Sequence, residues 1–429
     1  MQRFLKGIKL PSRKNTRNTP IFKFPTPKRV VLSTAMHIGK PSEVTVKVGD
    51  HVDIGTVVAL ESAPISSRLH SSISGTVKTI YDQTLPDGTI AAAIEIESDS
   101  LMTYDKDLKP PKIESKEDLV EAIKSAGIIG LGGAGFPTHI KYDVPKDVKI
   151  DKLIINGAEC EPYITSDTAV MLFGGEDILY AINVITEILG IEEVIIGVEK
   201  GNSAAVKKMR ELAEKNSKIS VKVLPDVYPQ GGEKVLIYHT TGRVVEEGKL
   251  PSSVGVIVSN STTMAKIGEF FKTGIPLVEK VVTVDGSAIR EPKNVLLPIG
   301  TPIDELFEFC GGFVDTPKKV LYGGPMMGVS VPTMLKTVLK NSNAILALTD
   351  KDITPIKTTN CIRCGACTNT CPFGINPAEI SRAYDKEDKE ALKALGTNIC
   401  MECGCCSYVC PANRPLVQTN KLAKRLLRK

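Results

Sequence analysis

CIRCGACTNTCP, residues 361–372, and CMECGCCSYVCP, residues 400–411, decide how the C-terminal end of this chain folds. Both stretches have the spacing C-x2-C-x2-C-x3-C-P, and the pattern uses eight of the 11 cysteines. A C-x2-C-x2-C loop is short enough to present three thiolates from one side of a metal centre. A tetrahedral set of four therefore needs a further cysteine from elsewhere in the chain.

The doubled spacing predicts two [4Fe–4S] clusters, as in bacterial two-cluster ferredoxins, where the fourth cysteine of each run binds the cluster of the other run. The alternative is structural zinc, because CxxC pairs also bind zinc. Zinc leaves the two fourth cysteines, each followed by proline, without a role. We therefore expect one cluster on Cys361, Cys364, Cys367 and Cys410, and the other on Cys400, Cys403, Cys406 and Cys371.

The remaining cysteines Cys160, Cys310 and Cys405 are expected to pack without binding metal. Disulfide bonds would consume the cluster ligands, so we expect a reducing compartment that is low in oxygen. Two clusters in one small domain would form a relay for single electrons.

Length and charge limit the other possibilities. A chain of 429 residues suggests about three domains. The sequence has no apolar run long enough to predict a membrane span. Residues 1–29 also lack the apolar segment that would predict a signal peptide. Residues 1–29 and 413–429 contain Lys and Arg but neither Asp nor Glu, whereas the net charge of the whole chain is only +5. Such ends are either solvated tails or docking elements for an acidic partner or anionic membrane; nucleic acid is disfavoured.

The pattern of elements predicts a multidomain α/β protein. Residues 30–98 contain short β-like runs, residues 113–275 alternate strands with helices, and residues 280–330 suggest a small α+β module. We expect the central strands at Lys152–Ile155, Val194–Val198, Ser220–Leu224 and Val254–Val258, and the central helices at Lys116–Ser125, Ala169–Leu189, Ser203–Asn216 and Thr262–Phe271. The domains would be a basic arm at 1–29, the modules 30–98, 113–275 and 280–330, a two-cluster domain at 355–415 and a basic tail at 416–429.

The β-rich segment resembles the lipoyl/biotinyl barrel-sandwich family. Its VGDHVDIG at 48–55 is similar to the family's entry turn, and SGTV at 74–77 to its exit. Pro64 stands where that family has its modified lysine, so the module is expected to be structural and to carry neither lipoyl nor biotin.

GLGGAG at residues 130–135 satisfies G-x-G-x-x-G, but its context differs from a dinucleotide fingerprint. A helix is expected before it, and Phe136-Pro137 follows where a helix should open. Consecutive glycines still allow main-chain N–H groups to approach a phosphate closely. A plain surface turn is the alternative.

The segment GGAGFPT at 132–138, followed by Lys141, resembles the flavin and NADH site of the NADH-binding subunit of respiratory complex I. NGAECEP at 156–162, YPQGGE at 228–233 and NSTT at 260–263 are similar to three further loops of that family. With the barrel and the two clusters, the chain resembles the RnfC family, whose members belong to Rnf complexes, the ion-translocating ferredoxin:NAD⁺ oxidoreductases. The resemblance implies a central FMN- and NADH-binding domain, an SLBB-type ubiquitin-like module at 280–330 and a ferredoxin-like C-terminal domain.

The resemblance also implies roles for single residues. The FMN-site residues would be Gly132, Gly133, Gly135, Lys141, Asn156 and Asn260. Glu159 and Glu161 would lie near the nicotinamide, with Glu159 as the catalytic residue, and Tyr228 and Gly231 would border the same cleft. Each of these residues also has a simpler alternative role. Asn156 could be a turn residue at the end of a strand, and Glu159 and Glu161 could form a solvated acidic edge. Tyr228 could pack in the core, and Lys141 could be an exposed lysine.

The chain departs from the complex I pattern at Leu131, Ala158, Gly232, His139 and Tyr142, where that family has Arg, Asp, Glu, Gly and Trp. A second hypothesis is therefore a cluster-bearing electron adaptor without a nucleotide site. A third is a soluble relative that serves a cytoplasmic reductase.

The expected function is electron transfer between NAD(H), FMN and two [4Fe–4S] clusters. The resemblance implies that the partners are a ferredoxin-like subunit and integral membrane subunits. The expected location is the cytoplasmic face of the cell membrane, where partner subunits would hold the chain peripherally.

Overall fold

The computed structural model describes residues 5–85, 88–145, 147–331, 336–353 and 357–428. The strands are β1 (Ile21–Lys23), β2 (Arg29–Ser33), β3 (Glu43–Val44), β4 (His51–Val52), β5 (Val57–Leu60), β6 (Leu69–His70), β7 (Gly75–Thr84), β8 (Ile90–Ser98), β9 (Lys152–Gly157), β10 (Glu193–Glu199), β11 (Ile219–Leu224), β12 (Val256–Asn260), β13 (Glu279–Asp285), β14 (Lys293–Pro298), β15 (Lys319–Tyr322), β16 (Val329–Ser330) and β17 (Ala344–Leu348). The helices are α1 (Lys116–Ser125), α2 (Thr138–Tyr142), α3 (Ser166–Phe173), α4 (Gly175–Leu189), α5 (Ser203–Ala213), α6 (Glu233–Thr241), α7 (Ser261–Thr273), α8 (Ile303–Phe309), α9 (Ala366–Thr370), α10 (Pro377–Asp385), α11 (Lys389–Ala394), α12 (Cys405–Tyr408) and α13 (Leu416–Arg428).

Strands β2 to β8 form the all-β module. Four of them make a sheet in the order β2-β8-β7-β4, and the other three make a sheet in the order β3-β5-β6. Their inward residues are apolar and fully buried, for example Val30, Leu32 and Ile94. In β7 buried and exposed positions alternate over residues 75–78, which is what a sheet with one face on a core requires.

The central domain is built on a parallel sheet in the order β11-β10-β9-β12. The helix predicted over Ala169–Leu189 is two helices, α3 and α4, which break at Gly174. Helix α7 packs on α4 through Gly268, where an added Cβ would lie 2.0 Å from the carbonyl oxygen of Asp177. Sequence patterns did not predict the helices α2 and α6.

The third sheet collects strands from distant parts of the chain, in the order β1-β14-β13-β17-β15-β16. Strand β1 comes from the N-terminal arm and pairs in parallel with β14. Strand β17 lies between the predicted module 280–330 and the predicted two-cluster domain 355–415, and it is buried along its length. The module at 280–330 therefore shares its sheet with residues outside those limits.

The basic N-terminal arm is packed against the molecule, so its interpretation as a solvated tail is wrong. The Lys14 side chain is 8% exposed, and its ammonium donates to the carbonyl oxygens of Glu159 and Ile164. Closer to the N-terminus, Ile8 pairs with Tyr228. The side chain of Thr370, in the cysteine-rich domain, donates to the carbonyl oxygen of Gly7. The arm thus connects the central domain with the C-terminal one.

The C-terminal residues also differ from a tail, because residues 416–428 form α13, which packs on α10, α11 and α12. Two helices, α10 and α11, lie between the cysteine loops. Among the described residues no single helix has the length and apolar character to cross a membrane; α3 and α4 together would meet those criteria by length and composition only, across a bend of 81°.

Candidate cofactor sites

The crevice between β9 and β12 is the point where the strand order of the central sheet reverses. From β9 the chain moves outward to β10 and β11, and it then returns as β12 on the other side. Ligands of open α/β sheets bind outside the carboxyl ends of the strands at such a reversal. Asn156 and Asn260, near the ends of these two strands, are direct partners in the register. Both predicted asparagines therefore lie where a ligand is expected.

The glycine-rich loop lies against the first turn of α7, next to this crevice. The N–H of Leu131 donates to Thr263 Oγ1 at 2.9 Å. Gly132 passes so close to Asn260 that an added Cβ would lie 2.9 Å from its Nδ2 atom. The loop therefore requires glycine at this position and reaches the carboxyl edge of the sheet.

Gly133 leaves a space that a cofactor could fill. Its φ of +113° belongs to the left-handed region, and an added Cβ would have a single neighbour within 4 Å, Asn343 Nδ2 at 3.8 Å. Residues 132–134 are exposed, whereas Leu131 and Gly135 on either side are buried. Exposed main chain of this kind can bring N–H groups close to a phosphate or a planar ring. The loop therefore fits the predicted flavin site.

Lys141 points toward the same edge of the sheet. It lies on α2, and its ammonium donates to the carbonyl oxygen of Val258 at 3.0 Å and to Glu233 Oε2 at 2.7 Å. Lys141 is therefore partnered within the chain. An ammonium has three protons, so one remains for a ligand phosphate.

The two asparagines are held by short networks. Asn156 Nδ2 donates to the carbonyl oxygen of Gly231 at 2.8 Å, and its Oδ1 accepts from the N–H of Ala158 at 3.1 Å. Asn260 caps α7 by accepting from the N–H of Thr263, and its Nδ2 donates to Asp167 Oδ2 at 2.8 Å. Each amide is thus fixed in orientation, which is what a preorganised site requires.

Glu159 is buried behind the site, so its interpretation as part of a solvated edge is wrong. It is 8% exposed. Its Oε1 accepts from the N–H of Asp167 at 2.8 Å, and its Oε2 from the hydroxyl of Thr168 at 2.8 Å. Burial and the neighbouring Glu159 raise the pKa of Asp167 to about 7. The two carboxyls therefore form one buried acidic pair behind Asn260.

Glu161 faces a different neighbour, the turn after β15. Its carboxylate accepts from the N–H groups of Met326 and Met327 at 3.0 and 2.8 Å. Burial raises the pKa of Glu161 to about 7. This glutamate thus fixes the turn of the third sheet against the central domain, and whether it also touches a nucleotide stays a prediction.

Tyr228 lies at a junction with the second cysteine loop. It is 3% exposed, and its hydroxyl donates to the carbonyl oxygen of Cys403 at 2.6 Å. Gly232 also lies against the second cysteine loop, because a Cβ added at this glycine would lie 2.2 Å from Met401 Cε. Gly231, between them, receives the hydrogen bond of Asn156. One short loop therefore contacts both the flavin crevice and the second cysteine loop.

The first cysteine loop surrounds a cavity of about 180 Å³ together with a cysteine of the second run. Cys361, Cys364 and Cys367 line it from one side, and Cys410 lines it as well. This is the set that the crossed assignment predicts for one cluster. Cys361 and Cys364 are exposed, so this centre lies at the surface.

The second set of thiols is more enclosed. Cys371, Cys403 and Cys406 are buried, and Cys400 is partly buried. Burial raises the pKa of the Cys406 thiol to about 12, and the nearby Cys400, Cys403 and Cys371 add to the effect. Cys371, from the first run, thus lies among the cysteines of the second run.

Across the described residues no three His, Cys, Asp or Glu side chains are placed to hold a single metal ion. A zinc ion needs all of its thiolates about 2.3 Å away. A cubane binds each thiolate through a different iron atom, so its ligands stand further apart. The donor set of four thiols in each group fits a [4Fe–4S] cluster, and the individual ligand assignment stays a prediction.

Several residues of the sites were missed by sequence analysis. Asp167 orients Asn260, Glu233 pairs with Lys141, and Asn341 Nδ2 donates to the carbonyl oxygen of Gly133 at 3.4 Å. Asp167 could have been noticed as an acid in the first turn of the otherwise apolar helix α3. Asn341 gave no local signal, because it reaches the glycine loop from a distant part of the chain.

Four family models match consecutive parts of this chain. The RnfC barrel sandwich hybrid domain matches residues 2–101, the Nuo51 FMN-binding domain matches 123–269, the SLBB domain matches 281–330 and the 4Fe-4S dicluster domain matches 357–414. The multidomain α/β layout with FMN and [4Fe–4S] cofactors is thereby confirmed.

Curated relatives match nearly the whole length. The chain is 39% identical to the C subunit of the proton-translocating ferredoxin:NAD⁺ oxidoreductase complex of Clostridium ljungdahlii, over 88% of this chain and 83% of the relative. It is 39% identical to the C subunit of the Na⁺-translocating ferredoxin:NAD⁺ oxidoreductase complex of Acetobacterium woodii, over 98% of this chain and 96% of the relative. It is 37% identical to the C subunit of the ion-translocating oxidoreductase complex of Rhodobacter capsulatus, over 93% of this chain and 78% of the relative.

Among solved structures, a chain of the H2-reduced NAD⁺-reducing [NiFe]-hydrogenase has a TM-score of 0.50 and 16% identity, and the match covers 73% of this chain and 61% of that one. This likeness concerns the fold alone.

Proposed function

Because the chain belongs to the RnfC family of ion-translocating ferredoxin:NAD⁺ oxidoreductases, we propose that it passes electrons between NAD(H), FMN and two [4Fe–4S] clusters in such a complex. The observation that carries this proposal is the loop 228–232, which contacts the flavin crevice through Gly231 and the second cysteine loop through Tyr228 and Gly232. A flavin and a cluster on either side of this loop would be near neighbours.

The chemistry requires both kinds of cofactor. Nicotinamide exchanges a hydride, which carries two electrons, whereas an iron–sulfur cluster accepts one electron, and a flavin supplies the conversion between them. The chain itself would bind and orient. Gly132, Gly133 and Gly135 would bring main-chain N–H groups to the flavin, Lys141 would meet its phosphate or ring edge, and Asn156 and Asn260 would hold it at the crevice.

The position of the two cysteine sets supports an order of transfer. The set with Cys400, Cys403, Cys406 and Cys371 is the more enclosed and lies beside Tyr228. The set around Cys361 and Cys364 opens to the surface. Electrons from the flavin would therefore reach the second loop first and leave through the first loop. The reverse order would apply when NAD⁺ is reduced.

The first test is the cofactor content of the anaerobically purified full chain. We expect flavin, together with about eight irons and eight sulfides per chain, and bleaching of the visible spectrum by NADH. Iron and sulfide without flavin would instead support the electron adaptor. About four irons or fewer, or zinc, would overturn the cluster assignment.

Glu159 is proposed to act through Asp167 on Asn260 rather than at the flavin surface. Glu159→Gln keeps the size of the side chain and one of its two acceptor oxygens, but it removes the other acceptor and the negative charge beside Asp167. We expect normal flavin content and NADH oxidation slowed roughly tenfold, the lower end of the loss caused by removing an orienting partner. The measurements are bound flavin and steady-state NADH oxidation with an artificial acceptor.

The matched control is Asp285→Asn. Asp285 is also a carboxyl whose pKa burial raises, to about 6, but it ends β13 in the third sheet. Turnover should be unchanged in this variant. Loss of flavin from Glu159→Gln would relocate Glu159 to the FMN site, and unchanged turnover would remove it from the reaction.

We further propose that the chain is peripheral to the membrane on its cytoplasmic face, held by membrane subunits and by a ferredoxin-like partner at the open first loop. The basic face of α13 would contribute through Arg425 and Arg428, both exposed. Removing residues 413–429 would also remove the helix that packs on α10, so truncation cannot isolate this contribution.

A double charge reversal, Arg425→Glu with Arg428→Glu, is the cleaner test. We expect cofactor content to stay normal and recovery with the membrane fraction to fall several-fold, more so at low salt, because screening weakens exposed charge contacts. The control is reversal of Lys207 and Arg210 on α5, which should leave recovery unchanged. Equal recovery of all three proteins would show that α13 does not contribute.

A further inference from the structure

Asn420 lies on the inner face of α13, beside the second cysteine loop. Its side chain is fully buried, with 0% exposure. Its Nδ2 atom donates a hydrogen bond to the sulfur of Cys400 at 3.4 Å. A side-chain amide thus meets the thiol that begins the second cysteine run.

Packing alone does not explain an asparagine at this position. The Oδ1 atom of Asn420 is buried and has no hydrogen-bond partner among the described residues. A buried acceptor without a partner is unfavourable, and an apolar side chain of similar size would avoid that cost. The N–H···S contact is therefore the feature that distinguishes this residue from leucine.

Other donors converge on the same cysteine. The N–H of Glu402 donates to Cys400 Sγ at 3.4 Å. One turn along α13, the ammonium of Lys424 donates to the carbonyl oxygen of Cys400 at 3.0 Å and to Glu402 Oε1 at 2.7 Å. Helix α13 thus supplies Cys400 with one donor to its sulfur and one to its carbonyl group.

The first cysteine run has a different environment at the equivalent position. Cys361 is exposed, and within the part of the chain that the structure describes no side-chain donor reaches its sulfur. The two loops are otherwise alike, with left-handed residues at Arg363 and Glu402. The side-chain contact to sulfur is therefore specific to the second loop.

We propose that Asn420 raises the reduction potential of the cluster bound by Cys400. The inference rests on the proposed function, because it takes Cys400 as a cluster ligand. Reduction adds one electron to the cluster and so increases the negative charge on its thiolate sulfurs. An N–H donor stabilises the more negative state more strongly, and hydrogen bonds to sulfur are one of the factors that set cluster potentials. Asn420 is a positioning residue here and exchanges neither an electron nor a proton.

The test is a redox titration of the anaerobically purified full chain, followed by electron paramagnetic resonance. Asn420→Leu removes the donor while keeping the branched shape and the number of heavy atoms of the side chain. We expect one of the two clusters to become harder to reduce, with a fall in its reduced-to-oxidised ratio at fixed potential of about three- to tenfold; tenfold corresponds to about 59 mV for one electron. Iron and sulfide content should be unchanged.

Gln418→Leu is the matched control, because it makes the same kind of change on the exposed side of α13, two residues away. Both clusters should titrate as in the parent protein. Asn420→Asp provides a second variant of nearly unchanged shape that removes the amide donor, and its cluster should also become harder to reduce.

Unchanged potentials in loaded Asn420→Leu protein, or a shift toward easier reduction, would overturn the proposal. Loss of iron from both Asn420 variants would also overturn it, because Asn420 would then be needed for cluster assembly instead of tuning. If the parent protein itself holds no clusters, the proposed function fails, and that result is distinct from either outcome.

Discussion

Cys410→Ala is expected to remove the cluster of the first loop while the cluster of the second loop remains. Cys410 belongs to the second run in sequence, but it lines the cavity formed by Cys361, Cys364 and Cys367. Iron content should fall by about half, from about eight to about four per chain. Electron transfer from NADH to an external one-electron protein should be abolished, because the lost centre is the exposed one.

Cys371→Ala should give the reciprocal result and remove the enclosed cluster near Tyr228. Iron analysis and paramagnetic resonance of both variants identify which centre survives. Cys310→Ala is the matched control, since Cys310 is also buried but lies at the end of α8 in another domain. If each alanine variant instead loses the cluster of its own run, the crossed assignment is wrong.

Gly133→Ala is expected to remove FMN almost completely. The added methyl group would fill the space beside the exposed glycine loop, where the protein itself has only Asn343 nearby. The left-handed φ of +113° adds backbone strain for a residue with a side chain. Bound flavin and NADH oxidation should fall together by about tenfold or more, whereas iron content should stay normal.

Gly49→Ala controls for the strain alone. Gly49 has a φ of +95°, and an added Cβ there would have no neighbour within 4 Å. It lies in the barrel module, before β4. Flavin should be retained in this variant even if its thermal stability drops. Retained flavin in Gly133→Ala would show that the open space beside the loop is not the flavin site.

Features whose structure and chemistry are local in the chain could be predicted best from the sequence. The C-x2-C-x2-C spacing determines a loop by itself, and helix α1 has the predicted bounds Lys116–Ser125. The predicted alternation of strands and helices over residues 113–275 agrees with the parallel sheet, because each strand is followed by its own helix. The family resemblance assigned Asn156 and Asn260 to one site, and the register of β9 and β12 pairs these two residues directly.

Contacts between distant segments could not be predicted in the same way. Strands β1 and β17 are short and lack alternation, and they become strands only because β14 and β13 offer free edges. The family resemblance gave identities for Glu159, Glu161 and Tyr228 but not their neighbours. Their partners are the start of α3, the turn after β15 and the second cysteine loop, which are set by how whole domains pack.

The N-terminal arm has a consequence for the order in which this protein can be completed during synthesis. Gly7 and Ile8 are synthesised well before their partners, Thr370 for Gly7 and Tyr228 for Ile8, which follow hundreds of residues later. At about 5–20 residues per second, the arm waits many seconds for its binding surface. Docking of the arm is therefore a late step in the folding of this chain.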